Sequence, residues 1–94
     1  MHYVYILRSK KDGTYYKGYS LDPLTRLSYH NKGLRPYTSG KQPWELVALL
    51  AFDTKTLALQ KEKKLKKYST RSLEALILSS QNILPIFLKG LENR

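Results

Sequence analysis

The chain has no cysteine in its 94 residues. Disulfide frameworks, cysteine-ligated metal centres and thiol nucleophiles are therefore excluded, and the composition suits a reducing compartment. Acidic side chains are scarce as well, with 7 Asp plus Glu against 17 Lys plus Arg. Long apolar runs are missing too. The opening "MHYVYILRSKK" holds too short an apolar run for a signal peptide, and no later stretch approaches the roughly 20 residues of a membrane span. The expected location is cytoplasmic, with no membrane partner. Several catalytic signatures are also absent: a phosphate-binding glycine loop, a His-Glu metalloprotease helix, a dinucleotide fingerprint and a recognisable Ser-His-Asp set.

What is present in excess is positive charge, a formal +10 on an 11 kDa chain. A polyanion is the natural partner, and nucleic acid is favoured over an anionic membrane or a merely well-solvated surface. With 41% hydrophobic residues, eight Tyr and one Trp, the chain has enough apolar surface for one compact domain.

Residues 2–8, "HYVYILR", and 14–20, "TYYKGYS", read as strands joined by the turn signal "KKDG". Asp22 and Pro23 mark a helix start, with Leu24 and Leu27 pointing inward and an end near Asn31 and Gly33. "KGLRPYTSGKQP", residues 32–43, is a basic Gly- and Pro-containing loop, of the kind that often meets ligands. "WELVALLAF", residues 44–52, reads as a central strand. Asp53 and Thr54 then cap a helix over 55–68 that places Leu57, Ala58, Leu65 and Tyr68 on one face. A shorter helix covers 71–80, and "QNILPIFLKGLENR" reads as a loose C-terminal segment. The fold class is α+β, β-β-α-β-α-α, with a small three-stranded antiparallel or mixed sheet flanked by helices. The domain spans 1–80, and 81–94 is a C-terminal extension that packs on the domain or trails from it.

If Asp12 and Gly13 form a two-residue turn, Lys11 faces Thr14, and Tyr5 and Tyr16 share one sheet face with Gly18. Gly18 then leaves a gap beside Tyr16 that a substrate backbone could enter. Ordinary half-buried strand tyrosines explain the pattern equally well. Arg26 and His30 stand one helical turn apart, suited to phosphate binding and proton transfer, or simply to a solvated helix face. Glu62 lies at the edge of an apolar stripe. Such a carboxylate can hold a hard divalent cation together with water and phosphate, or can merely pair with a neighbouring lysine.

The ordered set of Tyr-Val-Tyr, Tyr-Lys-Gly, Arg26 with His30, "PWELV", and Glu62 in "ALQKEKKLKK" resembles the GIY-YIG nuclease superfamily. It is most similar to the small stand-alone bacterial proteins related to the N-terminal nuclease domain of the excision-repair subunit that makes the 3′ incision. The similarity spans about residues 2–70. It implies a three-stranded sheet between helices and a DNA endonuclease dependent on one Mg²⁺ or Mn²⁺ ion, with DNA-repair or recognition partners. By position, it makes Tyr5, Tyr16, Arg26 and His30 catalytic and Glu62 the metal ligand. Lys17, Lys32, Arg35 and Lys41 are the nucleic-acid-binding candidates. The chain departs from the family pattern in lacking the first motif's glycine, in Lys17, and in Glu74 where some relatives carry asparagine. Two alternatives on the same fold are a non-catalytic nucleic-acid-binding module and an adaptor for a larger repair protein.

Overall fold

The computed structural model describes residues 1–92. Its elements are β1 His2–Ser9, β2 Tyr15–Ser20, α1 Pro23–Asn31, β3 Trp44–Phe52, α2 Lys55–Leu65, α3 Thr70–Leu78 and α4 Leu84–Glu92. The three strands form one antiparallel sheet in the order β2-β1-β3. Among the described residues no helix is long and apolar enough to cross a membrane.

Strand alternation divides β1 between two cores. Val4 and Ile6 pack with Ala48 and Leu50 against Ala58 and Leu65 of α2 and Leu73 and Leu76 of α3. Tyr5 and Leu7 point the other way, into Trp44, Leu49, Leu84, Leu27 of α1 and Phe87 of α4. Each fully buried aliphatic side chain contributes about 1.5–3 kcal/mol, so the central strand anchors both layers. The register with β3 slips between Ile6 and Leu7, where Ala48 and then Leu46 are the partners. Val47 is the extra residue, and this bulge brings Trp44 and Leu46 to the Tyr5 face.

Helix starts follow the local chemistry. Asp22 Oδ1 accepts from Thr25 N, Thr54 Oγ1 from Leu57 N, and Ser69 Oγ from Ser72 N, each satisfying an otherwise unpaired helical N–H. α1 ends beside Gly33, whose φ of 72° lies in the left-handed region.

Three local expectations are corrected. The hairpin loop is Lys10–Gly13 rather than Asp12–Gly13, because Ser9 Oγ accepts from Lys11 N and Asp12 N while Gly13 N donates to Ser9 O. Register therefore shifts by two, placing Tyr5 opposite Gly18. An even shift keeps every side chain on its face, so Tyr5 and Tyr16 still share one. Leu24, Leu57 and Tyr68 are exposed rather than inward: a three-stranded sheet is too narrow to cover their faces. Of the C-terminal segment, Ile83 and the α4 residues Leu84 and Phe87 pack into the Tyr5-side core rather than lying loose, and residues 93–94 lie outside the described residues. The segment's clamp is Asn82, whose Oδ1 accepts from Leu49 N and Leu84 N while Nδ2 donates to Val47 O and Ile77 O. The outer edge of β3 is thereby bonded rather than left open.

Candidate active site

The site begins with Gly18. Opposite it, the Tyr5 phenol lies directly over the glycine backbone, so a Cβ built there would sit 2.9 Å from Tyr5 Cε1 and closer still to Cζ and Oη. The gap expected beside Tyr16 exists, but the phenol of Tyr5 fills it instead of a substrate backbone. Tyr5 is 2% exposed, and its ring centroid lies 6.2 Å from that of Tyr16 and 5.9 Å from that of His30. Tyr16 is half-buried and closes the triangle with His30 at 4.8 Å.

His30 arrives from the last turn of α1, held there by the Asp22 cap, Pro23 at the first helical position, and Leu27 against the sheet. It is 1% exposed, which rules out the solvated-face alternative for this residue. Its Nε2 lies 3.0 Å from Tyr5 Oη and its Nδ1 lies 2.7 Å from Thr38 Oγ1. Thr38, itself fully buried, is fixed from its carbonyl by Trp44 Nε1–H at 3.1 Å. Asn31 holds the strand end that carries Trp44: its Oδ1 accepts from Trp44 N and its Nδ2 donates to Trp44 O. Thr38, within the loop between α1 and β3, is thus tied to the imidazole by its hydroxyl and to the indole by its carbonyl.

Burial pushes the His30 pKa down to about 4, and the nearby guanidinium charges of Arg35 and Arg26 add to the effect. His30 is therefore neutral at physiological pH. Burial raises the Tyr5 phenol well above its usual value, as do the neighbouring Tyr16 and the Glu62 carboxylate, against a smaller opposing pull from Arg26 and Arg35. Tyr5 is a protonated phenol, so a resting tyrosinate base does not fit this site.

Arg26 and Arg35 are both half-buried, and both charges act on Tyr5 and His30. The Arg35 guanidinium lies 5.2 Å from the Tyr29 ring centroid, and its Nε is buried with no hydrogen-bond partner. Arg35 thus belongs to the Tyr5–His30 cluster more than to an exposed loop.

Glu62 approaches from α2, on the other layer. It falls between the fully buried Ala58 and Leu65, its side chain is 18% exposed, and it pairs with Lys66 at 3.3 Å. Among the described residues no group of three or more His, Cys, Asp or Glu could hold a metal. A cation held at Glu62 would need water and substrate oxygens to complete its shell.

The other candidates are more scattered. Lys17 is opposite Ile6, on the sheet face away from His30. Lys32 caps α1 and is exposed. Lys41 is 3.7 Å from Asp12, and its carbonyl accepts from Ser9 Oγ at 2.7 Å, so it also braces the loop against the hairpin turn. Sequence reasoning missed Thr38 altogether. It sits in an aperiodic loop, and only the tertiary fold brings its hydroxyl to His30.

A family model described as the GIY-YIG catalytic domain matches residues 1–74. A UPF0213 protein of Halalkalibacterium halodurans is 43% identical over 77 residues, covering 81% of this chain and 81% of that one. A UPF0213 protein of Halobacterium salinarum is 40% identical over 77 residues, covering 81% of this chain and 99% of that one. The solution NMR structure of a UPF0213 protein from Bacillus halodurans is similar, with a TM-score of 0.55, 41% identity and 85% coverage of both chains.

Proposed function

The chain belongs to the GIY-YIG catalytic-domain family, and on that premise we propose that it is a metal-dependent nuclease hydrolysing phosphodiester bonds in DNA. The observation that carries the reading is the buried 3.0 Å hydrogen bond between Tyr5 and a neutral His30, beside two guanidinium groups. The charges of Arg26 and Arg35 both bear on this buried pair, so an anionic group set among them is stabilised by both.

The chemistry follows from the protonation states. A bound phosphodiester set against Arg26 and Arg35 offsets their charge, and with it part of what depresses His30. As the attacking water forms its bond to phosphorus and the ester P–O bond opposite breaks, the water's proton passes to Tyr5 Oη while the Tyr5 proton passes to His30 Nε2, and the departing oxygen takes a proton from solvent. No free tyrosinate is required. Tyr16, the more exposed phenol, orients the water or a phosphate oxygen. Arg26 and Arg35 stabilise the charge growing on the phosphate.

The donor set fits a hard divalent ion such as Mg²⁺ or Mn²⁺: one half-buried carboxylate, Glu62, whose present partner is an exposed lysine. Such an ion, when bound, supplies positive charge to a phosphate oxygen and the leaving oxygen. Lys32 at the end of α1, and separately Lys63 and Lys64 of α2 with Lys67 just beyond it, offer positive charge for the remaining backbone phosphates. A larger DNA-repair partner and a cytoplasmic site of action are consistent with this reading.

The test is cleavage of end-labelled single-stranded, duplex and branched DNA with Mg²⁺ or Mn²⁺, against EDTA and against Glu62→Gln. Metal-dependent cleavage abolished in the variant is expected. Binding of every substrate with cleavage of none would leave a nucleic-acid-binding module.

A further inference from the structure

The three polar groups Tyr5, His30 and Thr38 form a closed line of hydrogen bonds whose protons can be counted. Tyr5 and Thr38 bring one hydroxyl proton each, and a neutral imidazole brings one N–H. Thr38 Oγ1 has an acceptor in the Arg35 carbonyl at 3.4 Å, in addition to its 2.7 Å contact with His30 Nδ1. Two directions are open to the line. In one, Tyr5 O–H donates to His30 Nε2, His30 Nδ1–H donates to Thr38 Oγ1, and Thr38 O–H donates to Arg35 O. All three protons then have acceptors, the Thr38 hydroxyl sharing Arg35 O with the backbone N–H groups of Thr38 and Ser39. In the other, Thr38 donates to Nδ1 and Nε2–H donates to Tyr5 Oη, which leaves the Tyr5 proton with no protein acceptor in the resting site, before substrate and its water arrive, on a residue only 2% exposed. A buried hydroxyl proton without an acceptor is costly, so the first direction prevails.

We propose that Thr38 is a positioning residue that holds His30 as its Nδ1–H tautomer, leaving Nε2 as the unprotonated nitrogen that takes the Tyr5 proton. The inference rests on the nuclease reading for its catalytic meaning, but its structural half stands on the hydrogen-bond line alone. It goes beyond the residues that the family resemblance names, because Thr38 touches neither substrate nor metal and acts through His30. The wrong tautomer would present Nε2–H to the phenol and block the relay.

Thr38 is also well placed to hold the tautomer firmly. Its backbone is pinned by Trp44 Nε1–H to its carbonyl and by its own N–H to Arg35 O at 3.2 Å, so the hydroxyl cannot drift from Nδ1 without loosening the loop. Valine has nearly the same shape as threonine but no oxygen. Serine keeps the oxygen.

The experiment is a long-range ¹H–¹⁵N correlation spectrum of the imidazole at pH 7, in a His2→Gln background that leaves His30 as the remaining histidine. Wild-type Thr38 should give a protonated Nδ1 and a bare Nε2. Thr38→Val should move the proton to Nε2 or mix the two forms, and Thr38→Ser should restore the wild-type pattern. A protonated Nε2 in the Thr38 protein, or an unchanged pattern in a folded Thr38→Val variant, overturns the proposal. The Thr38 spectrum decides the tautomer even where the valine variant fails to fold. Single-turnover cleavage measured alongside should fall in Thr38→Val by about 10- to 100-fold, the scale known for partners that orient metal-bound histidines, and recover in Thr38→Ser. If the tautomer is as stated but the unsubstituted protein cuts nothing, the nuclease reading fails and Thr38 is a structural brace only.

Discussion

Gly18→Ala is the sharpest perturbation available in this fold. The added methyl would overlap the Tyr5 phenol, and the ring has nowhere to retreat, being 2% exposed and bounded by Tyr16 and His30. Overpacking of this kind costs about 1–3 kcal/mol. Displacing the phenol also breaks its hydrogen bond to His30, a further net loss of about 0.5–1.5 kcal/mol. At about 4–8 °C per kcal/mol for a domain of this size, the melting temperature should fall by at least about 6 °C. The control is Gly90→Ala in α4, where a Cβ would meet nothing within 4 Å. That change should raise stability by about 0.5–1 kcal/mol through helix propensity alone. Melting of both proteins by circular dichroism checks the pair. A Gly18→Ala protein that melts with the wild type would refute the packing argument and, with it, the claim that Gly18 exists to seat the Tyr5 phenol.

Other expectations follow from the same geometry. Holding His30 neutral stabilises the fold fully above its unfolded pKa near 6.5, and that contribution is lost as pH falls towards about 4, by at most about 3 kcal/mol. The sign is that of a base whose folded pKa is depressed, so urea titrations between pH 7 and 4 should show a steep loss in wild type and a shallower one in His30→Gln. Asn82→Ala removes four hydrogen bonds, two to β3 and two within the α3–α4 segment, and should destabilise by about 1–3 kcal/mol, with α4 amides exchanging faster than those of β1. Glu62→Gln should change stability by no more than about 1 kcal/mol, since its partner is an exposed lysine, while abolishing metal-dependent cleavage. For DNA binding, the slope of log K against log salt should shrink by about 1 on neutralising Lys32 if it contacts a phosphate.

Much of the fold was legible in the sequence because it is written in short-range chemistry. The Asp22-Pro23 start of α1, the end of α1 before Gly33 and the apolar run 44–52 each act within a few residues, and each appears where expected. The hairpin register was not legible, because it depends on Ser9 folding its side chain back over the turn, which no alternation pattern reveals. Leu57 and Tyr68 illustrate a different limit: helical periodicity says which residues share a face, but the width of the sheet decides how much of that face is covered. At the site, strand parity correctly joined Tyr5 with Tyr16. The burial of His30, the closeness of Arg35 and the part played by Thr38 depend on how the aperiodic loop between α1 and β3 folds back, held by Asn31 and Trp44. Only the assembled structure contains that information.

The most direct test of the central claim is single-turnover cleavage by Tyr5→Phe, with DNA affinity measured on the same preparation. The substitution keeps the ring over Gly18 and deletes only the oxygen that carries the proton to His30. The expected result is metal-dependent cutting by the wild type, unchanged affinity in the variant, and cleavage lost. Cleavage retained in the variant, or no cleavage by the wild type under any divalent metal, would contradict the account.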